Sequence, residues 1–203
     1  NPICQGSSLS LDATTSLAYY FSWTGPSYSS SPTSNPDVTV TNVQTSGAYT
    51  LVARNPLSGG CTATISSASV TVNPIATVDA GASTETVCQS TTAYTLSGAS
   101  VGGGASTAAW SIQSGGGSLS STAQTGSPAT VTFTPSATGT TVLRLTTNDP
   151  TGPCGTVFDE RTVTVSPAAT ATAGGPDAVC QSGSAFALSG ASVGGSATTG
   201  AWS

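Results

Sequence analysis

There is no lysine, no histidine and no methionine in this chain of 203 residues. Arg54, Arg144 and Arg161 are the only basic side chains, set against eight carboxylates for a net charge of −5. Nucleic acid is excluded as a partner, because displacing its counterions takes clusters of Lys and Arg. There is no basic patch for an anionic membrane surface, and no apolar run approaches the ~18 residues of a membrane span. Without His or Lys, neither a Ser-His-Asp nor a Ser-Lys nucleophile can be assembled. Lys–Asn isopeptide links are excluded for the same reason. Asn-x-Ser/Thr is also absent, so N-linked glycan has no acceptor. With no CxxC and no His, zinc lacks its usual ligand spacing. Disulfides are the covalent staples that remain. Asn1 follows neither an initiating Met nor a signal-like apolar segment, so the sequence reads as an excised or processed piece of something longer.

What is present points to β-structure. Only 5% of residues are charged, against roughly 25% in ordinary soluble domains, but 36% are hydrophobic. Those apolar residues come in short runs that alternate with Thr and Ser, the period-two pattern of a half-buried strand. Low charge therefore does not mean disorder here. Part of the chain is written twice. Residues 87–111 and 179–203 match at 18 of 25 positions with a constant offset of 92, from Cys88/Cys180 through Leu96/Leu188 to Trp110/Trp202. A period of that length suits one autonomous domain per unit.

The expected division is 1–74, 75–167 and 168–203, the last being the opening part of a third, truncated unit. In the first unit strands are predicted over Ser8–Leu11, Leu17–Trp23, Asp37–Val40, Ala48–Arg54 and Thr62–Val72, with turns at Gly25-Pro26, Ser46-Gly47 and Ser58-Gly59-Gly60. In the second they fall at Tyr94–Ser97, Ala108–Gln113, Ala129–Thr134, Thr141–Thr147 and Val157–Val165, with Gly102–Gly104 as a flexible loop. No segment keeps a helical period for more than two turns. The fold class is all-β: tandem β-sandwiches without significant helix.

One disulfide per unit accounts for four of the five cysteines: Cys4 with Cys61 and Cys88 with Cys154. Cys180, the copy of Cys88, is left unpaired within the chain. This pattern favours an oxidising, extracellular or cell-surface address. Asp12, Asp37, Asp79, Glu85, Asp149, Asp159, Glu160 and Asp177 scatter over loops and strand ends, and no catalytic pair is expected from them. Asp159-Glu160-Arg161 reads as a solvated edge with a local ion pair. A calcium site would draw on Asp79, Glu85, Asp149 and Asp177, but without a DxDxD cluster these acids read as turn caps, and no cofactor or metal is expected. Of the aromatic group in unit one, Tyr19, Phe21 and Trp23 share a strand face and read as core. Tyr20 and Tyr28 are left as the candidate surface rings for a glycan.

Trp23, Trp110 and Trp202 each follow a Cys by about twenty residues and resemble the core tryptophan of immunoglobulin domains. Ser46-Gly-Ala-Tyr49-Thr-Leu51 resembles their tyrosine-corner strand, with Leu51 where antibody domains carry Cys. More specifically, the first unit, with Tyr20-Phe-Ser-Trp-Thr-Gly-Pro26, Gly60-Cys61 and Val70-Thr-Val72, resembles the Ig-like repeats of very long Bacteroidota surface proteins. The second, with Val87-Cys-Gln-Ser, Leu96-Ser-Gly-Ala-Ser-Val-Gly-Gly103, Ala109-Trp-Ser111 and Val142-Leu-Arg-Leu-Thr-Thr-Asn-Asp149, resembles the PKD-like repeats of the same proteins. That resemblance implies export, usually by the type IX route, and a role as a gliding or attachment adhesin or another surface fibre. The expectation is thus a non-enzymatic stalk or fibre of an adhesin-like protein. Its partners would be neighbouring repeats, other copies in a fibre, or a glycan or cell-surface ligand. Two alternatives stand beside it: a filament subunit that shares strands between chains, and a carbohydrate-binding module.

Overall fold

The computed structural model describes residues 2–14, 20–55, 60–150, 152–181, 183 and 185–203. The predicted strand over Leu17–Trp23 begins outside these residues. Tyr19 and Ser58-Gly59 of the expected turn also lie outside them. The described chain is all-β, with a single 3₁₀ turn at Pro128–Thr130. It divides into two compact units. One comprises residues 1–77, 102–106 and 148–157; the other comprises 78–101, 107–147 and 158–203.

In the first unit a four-stranded antiparallel sheet runs in the order Tyr28–Ser29, Tyr20–Gly25, Thr50–Arg54, Thr62–Ser66. Leu9–Leu11 pairs antiparallel with Val38–Val40, and Pro2–Cys4 runs parallel to Thr71–Asn73. Alternation sets the core. Phe21, Trp23 and Leu51 point inward, where Leu11, Val40, Val43, Tyr49 and Val70 close over them. The Trp23 indole N–H donates to the carbonyl of Pro36 at 2.6 Å. Tyr49 is fully buried, and its hydroxyl has no hydrogen-bond partner among the described residues. Its ring lies so close to Gly25 that a Cβ there would sit 2.2 Å from Cδ1. The predicted Thr62–Val72 strand is two strands, Thr62–Ser66 and Thr71–Asn73, which pair in different sheets.

In the second unit a four-stranded sheet has the order Thr84–Cys88, Phe158–Ser166, Gly139–Thr147, Ala108–Ser114, with the first pair parallel. A three-stranded sheet of Tyr94–Thr95, Thr132–Thr134 and Ser118–Leu119 supplies the other strands. Trp110, Phe133, Leu96, Leu143, Leu145 and Val163 are essentially sealed from solvent between them. The Trp110 indole N–H donates to the carbonyl of Pro128 at 3.0 Å, so burial leaves no indole unsatisfied. The Asp159-Glu160-Arg161 triplet lies on a central strand of the sheet; Glu160 is exposed and ion-paired, as the solvated reading expects, but Arg161 is buried. Gly102 and Gly103 belong to a strand, Ser100–Gly103, which pairs with Ala76–Asp79.

That ribbon recurs. Thr170–Thr172 pairs antiparallel with Ser192–Gly194. Gly103 and its copy Gly195 have φ of 64° and 65°. A Cβ on either would strike the carbonyl oxygen of the preceding strand's approach, Ile75 at 2.1 Å and Ala168 at 1.7 Å. The amides of Ala105 and Ala197 donate to Gly102 and Gly194, both at 3.2 Å. The repeated sequence thus builds the same ribbon twice. The burial differs. Trp202, expected as a core tryptophan, is 59% exposed, whereas Trp110 is 1% exposed. Among the described residues, the ribbon is all the regular structure that 168–203 forms, and no facing sheet covers it.

Candidate functional site

The disulfide corrects the sequence expectation. Cys4 is bonded to Cys154, with their Cα atoms 5.4 Å apart and 150 positions between them in sequence. Cys61, Cys88 and Cys180 are free and exposed. The expected pairs assumed that each sequence unit closes on itself. Instead the loop 148–157 belongs to the first compact unit. There Cys4 ends the Pro2–Cys4 strand opposite Asn73, and Gly152 approaches Asn73 so closely that a Cβ would meet its Nδ2 at 2.0 Å. Cys61 precedes the edge strand Thr62–Ser66 of a different sheet. Cys88 pairs with Ser166, the far end of a strand whose first residue, Phe158, follows Cys154 by four. Eight strand steps cover roughly 26 Å, whereas disulfide Cα atoms lie within about 7 Å.

The two candidate glycan rings do not meet. Tyr20 is 49% exposed on the outer face of its sheet. Tyr28 pairs with Gly25 across the turn Pro26-Ser27, with Ser27 at φ 56°. Directly opposed residues share a face, so Tyr28 stands with Phe21, Trp23 and Gly25. It is half-buried against the core, its ring 6.5 Å from that of Tyr49. What accompanies Tyr20 is its cross-strand row. Arg54 pairs with Tyr20 on one side and Thr62 on the other. Together with Ser22, Val52 and Asn55 they line a shallow groove of about 580 Å³. Arg54 is the one arginine without a carboxylate partner among the described residues.

Three of the eight carboxylates hold the backbone. Asp37 accepts the amide of Ala13 at 3.0 Å, Asp79 that of Gly81 at 2.7 Å, and Asp159 that of Ala80 at 2.8 Å. Glu160 accepts from Arg144 at 2.8 Å, and that guanidinium also lies over the Phe158 ring at 4.1 Å. Among the described residues no three His, Cys, Asp or Glu side chains gather within reach of one metal ion.

Sequence reasoning missed the one buried charge among the described residues. Arg161 is 3% exposed; it donates to Glu85 and, at 3.2 Å, to the carbonyl of Ser97. Its Nε finds no partner among the described residues, nor does the nearby Tyr94 hydroxyl. Burial and the negative charge of Glu85 push the Tyr94 phenol up to about 12, partly countered by Arg161. A signal was available: Glu85 is matched by Asp177 in the repeat, an acid at the same place in both copies.

No known family and no curated protein matches the sequence. Among solved structures the chain is similar to the I-band fragment I67–I69 of titin, at 15% identity and TM-score 0.40. That match covers 83% of this chain and 63% of the titin fragment. It is also similar to mouse cadherin-23 EC22–24 (13%, TM-score 0.44, 83% and 63%) and to the D00-D0 domain of intimin (17%, TM-score 0.40, 79% and 94%). The chain spans less than two thirds of the titin and cadherin fragments. No helix among the described residues is long and apolar enough to cross a membrane.

Proposed function

We propose that this chain is a non-enzymatic structural region, a stalk or fibre of β-sandwich repeats, in an extracellular adhesin-like surface protein. The observation that carries the reading is the repeated ribbon. The strands Ala76–Asp79 with Ser100–Gly103 and Thr170–Thr172 with Ser192–Gly194 form the same ribbon, and the glycines at its turns are shared by both copies. Selection for a repeated scaffold leaves that trace. The Cys4–Cys154 bond supports an oxidising compartment. The divisions 1–74, 75–167 and 168–203 are the repeat units in this reading, and export by a type IX route follows from the Bacteroidota resemblance. Protease shaving of intact source cells tests it. Release of fragments of this chain, with Cys4 still bonded to Cys154, is the expected result. Recovery only from the cytosol, with both thiols free, would overturn it.

A filament with strand sharing between chains is the second reading. A carbohydrate role would rest on Tyr20 with Arg54, since Tyr28 faces the core.

A further inference from the structure

The first unit turns one face of its four-stranded sheet outward. Phe21, Trp23 and Leu51 point into the core, so Tyr20, Ser22, Val52 and Arg54 point away from it. The row Tyr20–Arg54–Thr62 lies beside the row Ser22–Val52–Thr64. Between them runs the groove of about 580 Å³, within the roughly 300–1,000 Å³ of small-ligand sites. Ser22 and Val52 are half-buried and floor it, and Tyr20 stands exposed on one side. On the other side the Arg54 guanidinium lies alongside Gly60, where a Cβ would come 3.4 Å from Nη2. Arg144 meets Glu160, and Arg161 meets Glu85. Arg54 meets none of the eight carboxylates, every one of which is among the described residues. In a chain of net charge −5 it is the one cationic side chain without an internal counter-charge.

We propose that this face binds an acidic saccharide, a sugar whose pyranose carries a carboxylate. The pyranose lies against the Tyr20 ring and Val52, its carboxylate accepts from the Arg54 guanidinium, and its hydroxyls exchange hydrogen bonds with Ser22 and Thr62. Each part selects. An exposed aromatic ring beside an aliphatic floor suits the C–H face of a sugar. A guanidinium offers a carboxylate parallel N–H donors, a stronger contact than a neutral hydroxyl receives. A small anion without a ring finds only half of the site, and the negative charge of the whole chain repels it. The inference rests on the carbohydrate reading and deepens it. That reading asks only for a sugar on Tyr20, whereas this one requires an acid on Arg54. The stalk reading is independent of both.

The test is calorimetric titration of the full chain with trisaccharides of galacturonate, glucuronate or mannuronate. Each is run beside its methyl ester, which keeps the rings and removes the charge. At least one acid should bind with a Kd below about 1 mM, and its ester about tenfold more weakly or worse. Arg54→Gln should bring the acid to the level of the ester and leave the ester unchanged. Tyr20→Ala should weaken both. Arg144→Gln makes the same change in net charge at a residue already paired with Glu160, and should leave binding in place. The comparison of acid with ester uses the unaltered chain, so it decides the matter even where a variant unfolds. Acid and ester bound equally, with only Tyr20→Ala weakening them, would overturn the proposal and keep the carbohydrate reading. No binding of any trisaccharide up to about 10 mM would sink both. Equal losses in Arg54→Gln and Arg144→Gln, or full competition by acetate at equal concentration, would show a general charge effect and overturn the proposal as well.

Discussion

Residues 87–111 and 179–203 put nearly one sequence into two environments. Both copies make the ribbon, with matching positive-φ glycines and matching hydrogen bonds. Among the described residues only the first has a layer facing it, and there Leu96 and Trp110 are sealed away. Local sequence therefore specifies the ribbon, its turns and the direction of each side chain. It does not specify burial, which is a property of what lies opposite. Strand pairing behaves the same way: residues 84–88 form a strand and residues 176–180 do not, because pairing is a property of two segments.

The covalent bond sharpens this contrast most. The first copy lies inside the loop closed by Cys4 and Cys154, and the second lies outside it. Closing a loop of 150 residues lowers the entropy of the unfolded chain, worth about 5 kcal/mol in the loop-entropy estimate. Reduction, or Cys4→Ser with Cys154→Ser, should lower the denaturation midpoint by a corresponding amount. Hydrogen exchange in the 170–194 ribbon should be unchanged. Alkylation without reduction should label Cys61, Cys88 and Cys180 only; label on Cys4 would refute the pairing.

The tryptophans break the comparison directly. Trp110→Ala removes a sealed ring and leaves a cavity, costing about 3–5 kcal/mol. Trp202→Ala, at an exposed position, should stay within about 0.5 kcal/mol. Equal effects in denaturant melts would mean that residues 168–203 already have a core. The acids come next. Arg161→Ala leaves Glu85 facing a site without its cation and should cost about 2–3 kcal/mol, less than for a fully buried partner because Glu85 is partly exposed. Asp177→Asn should change stability by no more than about 0.5 kcal/mol.

The strands that sequence alone made legible are those carrying strict alternation. Val142-Leu-Arg-Leu-Thr lies in the Gly139–Thr147 strand, which starts two residues before the pattern indicated, and Thr162-Val-Thr-Val lies in Phe158–Ser166, which is shifted by one residue. What failed was whatever depends on the partner. Tyr28 faces the core because of its register with Gly25 through a two-residue turn, which no pattern within its own strand reveals. The disulfide depends on which loop returns to the first unit. Arg161 looked solvated because it follows two acids, and it is buried because its strand is central. Trp202 looked like core because its sequence context is that of Trp110.

The smallest effect is at Tyr94, where the second copy has Phe186, so Tyr94→Phe installs the residue that the repeat itself carries. The Tyr94 ring packs edge-on against Phe133, with centroids 5.9 Å apart, and its buried hydroxyl has no partner. At neutral pH removing that hydroxyl should be neutral or slightly stabilising, because no hydrogen bond is lost. Alkaline pH separates the two proteins. The folded phenol titrates at about 12 rather than 10, first because burial disfavours the phenolate and then because Glu85 repels it. Between those values the unfolded chain has lost the proton that the folded chain still holds. The stability linked to Tyr94 is therefore complete below pH 10 and declines as pH rises toward 12. Tyr94 is only partly buried, so the loss is a fraction of the full linkage value. Denaturant midpoints measured from pH 9 to 11.5 should fall more steeply for the unaltered chain than for Tyr94→Phe. Parallel slopes would show that the phenol ionises as freely in the folded chain as in the unfolded one. The burial of the first copy would then be looser at its rim than the sealed Trp110 implies.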